Sequence, residues 1–164
     1  MALEKEEILQ KYELLAEQSK INFFKELFEE FELLDILRKQ EFMPSNLLVF
    51  IRRVIVDKFA AWENYLHIFL LPQQQSTMLM HEYQNFDDKK RENLIEYIRQ
   101  LMLITRTSIK LELIKKDEEE AKFINEAYNV WMKLKPELLK IVEINIDIWK
   151  KKVKKDDRRV PSRH

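Results

Sequence analysis

The sequence predicts an all-α protein, an antiparallel bundle of five or six helices with no β-sheet. Three observations point there. The 164 residues include no glycine, so the chain lacks the residue that supplies left-handed turns, phosphate-cradling loops and Asn-Gly hairpins. Only four prolines punctuate it, and Pro44, Pro72 and Pro136 fall where apolar periodicity also breaks. Between those breaks apolar residues recur at helical spacing against faces of Glu and Lys. A single domain is expected over residues 1–155, followed by a flexible basic tail over 156–164.

The first block, Leu3 to about Phe42, repeats Ile8, Tyr12, Leu15, Phe24, Leu27, Phe28, Phe31 and Leu34 on one side. Ser19 can cap a new start, so one long helix or two shorter ones fit the pattern. The phenylalanines Phe23, Phe24, Phe28 and Phe31 read as core rather than as a cofactor box.

The second block, Asn46 to Leu71, is long enough to cross a bilayer. Projected at 100° per residue, however, Arg52, Arg53, Asp57, Glu63, Asn64 and His67 share one polar arc. A central charge costs a membrane helix about 2.5–3.5 kcal/mol, so no transmembrane segment is expected. The other arc holds Leu47, Leu48, Ile51, Val54, Ile55, Trp62, Tyr65, Leu66 and Phe69, which suits the central helix of a bundle. Arg53 and Asp57 are expected to pair on its wet edge, and Lys58 to snorkel past the core.

Leu71 to Phe86 is poor in charge and reads as the main irregular connection. Asp87 or Asp88 then caps a helix that continues through Leu94, Ile98 and Leu101 to about Ile114. In the run KKDEEE, Asp117 precedes Glu120 by three residues, a variant of the capping-box spacing, so a break or a strong bend is expected there. A fourth helix takes Phe123, Ile124, Ala127, Tyr128, Trp131 and Leu134. Pro136 starts a fifth, packing Leu138, Leu139, Val142, Ile146, Trp149 and Val153.

Composition excludes several chemistries. No cysteine is present, which removes disulfides, thiolate catalysis and cysteine-held zinc or iron–sulfur clusters and fits a cytoplasmic protein. The first residues, MALEKEEILQKYELL, lack the basic and apolar regions of a secretory signal. No Glu-x-x-His pair of a di-iron bundle occurs. Glu63 and His67 lie one turn apart, yet they supply two ligands where zinc takes three or four. No cofactor or catalytic residue is assigned, and an enzyme stays a third class, with His67, Glu63, His81 and Asp57 as the residues to test.

Two segments suggest contacts. From Lys150 onward, Lys150, Lys151, Lys152, Lys154, Lys155, Arg158, Arg159 and Arg163 stand against two aspartates, a net +6 in a chain whose total is zero. Such an arm can neutralise phosphates of nucleic acid without sequence preference, or meet an anionic membrane. It is equally the basic end that favours a helix C-terminus. In the charge-poor connection, Met78, Leu79, Met80, Tyr83 and Phe86 form either an adaptable apolar surface for a partner or a lid over the bundle's end. The leading expectation is a non-catalytic interaction or assembly module, with a protein partner or self-association. A nucleic-acid-associated protein using the basic arm is the alternative.

Overall fold

The computed structural model describes residues 2–71, 77 and 79–157. Among them the chain is all-α, with helices α1 (Ala2–Gln18), α2 (Phe24–Glu30), α3 (Leu34–Lys39), α4 (Pro44–His67), α5 (Leu79–Tyr83), α6 (Asp88–Ile114) and α7 (Asp117–Asp157). No helix among the described residues is long and apolar enough to cross a membrane.

The long helices α4, α6 and α7 form the centre. Residues that meet across them fix their directions. Arg52 of α4 reaches Ser108 and Glu112 of α6 and Glu120 of α7, whereas Tyr97 of α6 bonds Glu137 of α7 and Tyr65 of α4 bonds Asn145. Helix α6 therefore runs antiparallel to α7, while α4 and α7 run parallel. Helix α4 is likewise antiparallel to α6, joined to it by a longer segment, whereas α6 and α7 are joined by a short one. The segment from Ile68 to Asp87 carries the chain from the end of α4 to the start of α6.

Local chemistry explains the boundaries. Pro44 opens α4 with Met43 extended before it, as the residue preceding a proline prefers. Asp87 caps α6, its carboxylate accepting from the Lys90 amide at 2.8 Å. At the other end of α6, Lys115 takes a left-handed conformation (φ 52) and its amide donates to the Leu111 carbonyl. Lys20, Phe23 and Glu32 are left-handed too. Turns that ordinarily take glycine are thus made by residues with a Cβ, at about 1–2 kcal/mol each.

The first block breaks twice, at Ser19–Phe23 and Phe31–Leu33, into three helices instead of one or two. Side chains from α7 hold the first break: the Asn22 amide donates to Asn125 Oδ1 (2.8 Å), and Asn125 Nδ2 donates to the Lys20 carbonyl (3.0 Å). Tyr12 ties α1 to the connection between α3 and α4, donating to the Gln40 carbonyl and accepting from the Phe42 amide.

Two expectations about α7 and α4 need correction. Pro136 does not start a helix; it lies inside α7. The buried residues Glu120, Ile124, Ala127, Trp131, Leu134, Leu138, Ile141 and Asn145 keep alternating spacings of four and three straight through it. That unbroken seam outweighs the lost hydrogen bond. Arg52, placed in α4's polar arc by sequence, is instead 2% exposed. Its neighbour Arg53 approaches Glu112 at 3.6 Å rather than Asp57.

Candidate functional site

Arg52 sits in a closed polar network. Its Nε donates to Glu120 Oε2 (2.7 Å), Nη1 to Ser108 Oγ (2.7 Å) and Nη2 to Glu112 Oε1 (2.8 Å). The Arg52 hydrogen bond and charge hold the Glu112 carboxyl below the usual carboxylate range. Glu120, read from the sequence as a cap residue, is the buried counter-ion, while Asp117 accepts from the Ser45 hydroxyl. With each guanidinium nitrogen donating, the network fastens α4, α6 and α7 together.

A second junction surrounds Trp131, whose indole donates to Glu30 Oε1 (2.7 Å). Lys135 donates to the other Glu30 oxygen, and Lys58 lies 4.9 Å over the Trp131 ring and 5.1 Å over Phe31. Burial raises the Glu30 pKa, but the hydrogen bonds from Lys135 and Trp131 and the nearby positive charges outweigh it, so the carboxyl stays below its ordinary value. The expected snorkelling of Lys58 ends on these rings and on the Glu30 carbonyl at 2.7 Å.

Among the described residues no group of three His, Asp or Glu side chains is placed to hold a metal ion. His67 Nε2 lies 4.0 Å from Glu63 Oε1, and Glu63 also accepts from Thr105 (3.4 Å). His81 contributes its carbonyl to Asn85 from within α5.

The residues read as a partner surface divide between core and edge. Phe86 is buried and stacks on Phe69, ring centroids 4.5 Å apart. Tyr83 is half-buried beneath Arg91, which lies 4.1 Å over its ring. Leu79 and Met80 are half-buried on α5, and Met78 lies outside the described residues. Glu82 of the same helix is buried and accepts from Trp149 Nε1 at 2.7 Å. Four of the basic residues, Lys150, Lys151, Lys152 and Lys154, extend α7 and ring it rather than lining one side; Lys152 lies over the Trp149 ring. The side chain of Lys155, and Arg158, Arg159 and Arg163, lie outside the described residues.

Exposed apolar side chains lie elsewhere, among them Ile95, Leu103, Ile109 and Leu113 of α6 and a regular row on α7. Met132 (44% exposed), Leu139 (56%), Ile146 (45%) and Val153 (61%) recur on α7 at intervals of seven. Half-buried Val142 and Trp149 fall between them at the companion coiled-coil spacing. The inward seam shares the same period, so the two faces stay about 100° apart along the helix. Beside the stripe, Ala61, Trp62 and Tyr65 of α4 and Val142 line an open cleft of about 370 Å³. Tyr65 is fixed there by Asn145 Nδ2 at 2.7 Å, and burial raises its pKa.

Sequence reasoning placed Leu139, Ile146 and Val153 in the core with Leu138 and Val142. Their seven-residue interval was the available signal, because it belongs to a second seam out of phase with Leu134, Leu138 and Ile141. No family model, curated protein or solved structure matches this chain.

Proposed function

We propose that this chain is a non-catalytic interaction or assembly module, an accessory subunit that docks through the outward stripe of α7. The carrying observation is the row Leu139, Ile146 and Val153, bordered by the cleft at Val142. Several apolar side chains in one regular line cost free energy in water and regain it against a complementary surface. In this reading the partner face lies on α7, with α5 beside it through the Glu82–Trp149 hydrogen bond.

Native size in extracts of cells expressing the full chain tests this reading. Wild type is expected to elute well above a monomer, and Leu139→Asp and Ile146→Asp to elute smaller while purified samples keep their helical signal and Tm. Elution as a monomer for wild type, or at unchanged size for both variants, would count against it.

A second reading keeps the basic residues as phosphate contacts. Its support is the exposure of Lys150, Lys151 and Lys154 on α7. Anisotropy with labelled DNA and RNA at low and physiological salt decides it, since binding through lysines weakens steeply with salt.

A further inference from the structure

We infer that the occupant of the α7 stripe is a second copy of this chain, with the two α7 helices paired antiparallel about a two-fold axis between Val142 and Ile146. This deepens the reading above and rests on it. The argument starts from register. With Leu139, Ile146 and Val153 as one row and Val142 and Trp149 as the other, antiparallel pairing stacks Leu139 on the second copy's Trp149 and Val142 on its Ile146. The two-fold axis repeats both layers.

Charge complementarity fixes that choice. The exposed position flanking the stripe is occupied by Glu143 and then, seven residues on, by Lys150. In the register just given, Glu143 of each copy falls opposite Lys150 of the other, making two equivalent ion pairs. Among the described residues neither side chain has an ion-pair partner within its own chain, so both are available. In parallel pairing Glu143 and Lys150 would instead face the opposite flank of the second copy, where Leu138 and Asn145 stand buried, and these ion pairs would be lost. The cleft at Ala61, Trp62, Tyr65 and Val142 lies where Ile146 of the second copy arrives.

Sedimentation equilibrium of the purified full chain over a wide concentration range tests the pairing. A monomer–dimer equilibrium is expected for wild type. Ile146→Asp should raise the dissociation constant by at least about a hundredfold, since it puts two carboxylates into the central layers. Glu143→Lys and Lys150→Glu should each weaken the dimer about tenfold, and the double exchange should restore it. A monomer up to a few hundred micromolar, or a double exchange no tighter than the singles, overturns the inference. Native size in extracts separates the two failures. A purified monomer that forms a stripe-dependent larger species in extract removes the second copy and leaves the module, whereas a monomer in both removes both.

Discussion

Removing the Glu120 carboxylate would leave the Arg52 guanidinium buried with one side unpaired, because Glu112 and Ser108 occupy its other nitrogens. Truncating one member of a buried pair costs about 3–5 kcal/mol, whereas replacing both members with apolar residues is often near neutral. Glu120→Ala should therefore destabilise the chain by that amount in urea titrations, and Arg52→Met with Glu120→Leu should recover most of the loss. A Glu120→Ala cost below about 1 kcal/mol would show the network to be peripheral. Glu30 bears on pH. Its pKa is held low in the folded chain, as are those of Glu112 and Glu137, the last by hydrogen bonds from Lys140 and Tyr97. Depressed carboxyl pKa values contribute stability above the unfolded Glu pKa of about 4.3, and that contribution is lost as pH falls through the folded values. The Tm should be level from neutrality to about pH 5 and fall below about pH 4, less steeply in Glu30→Gln. Arg52 itself was misplaced by sequence because a helical wheel shows spacing, and only the fold reveals that Glu120 and Glu112 come to meet it.

At the level of elements, two helix features carry measurable strain. Lys115 ends α6 in the left-handed region, where glycine is the ordinary occupant. Lys115→Gly should stabilise the chain by about 0.5–1 kcal/mol after the greater freedom of glycine in the unfolded state is counted. A lower Tm would mean that the lysine side chain makes a contact worth more than the backbone relief. Pro136 leaves the Met132 carbonyl without its helical donor, so Pro136→Ala should stabilise by about 1–3 kcal/mol, read as a higher urea midpoint. Loss of stability there would mean that α7 packs best with the proline's local distortion. The extent of α6 was legible in the sequence, as were a cap at Asp87 or Asp88 and a break or bend after Ile114, since each depends on neighbours within one turn. The split of the first block was not, because Asn125 supports its loop from more than a hundred residues away. The continuity of α7 was legible in principle: spacings of four and three cross Pro136 without a change of phase, a tertiary signal that overrides proline as punctuation.

Over the whole molecule, zero net charge covers an uneven distribution, with +6 from Lys150 onward against −6 before it. An interface built on apolar layers with two flanking ion pairs should nevertheless depend weakly on salt, its dissociation constant changing less than about tenfold between low and physiological ionic strength. Steep weakening would shift the weight to the lysines. The all-α class was readable from missing glycine and helical periodicity, but the outward stripe was not separated from the core, because α7 carries two apolar faces of equal period. The most direct measurement of its role is photo-crosslinking in the expressing cell with a diazirine side chain at Ile146, compared with one at exposed Glu126. The account predicts adducts at Ile146 alone that link α7 to α7. Equal labelling at both positions, or none at Ile146, would contradict it.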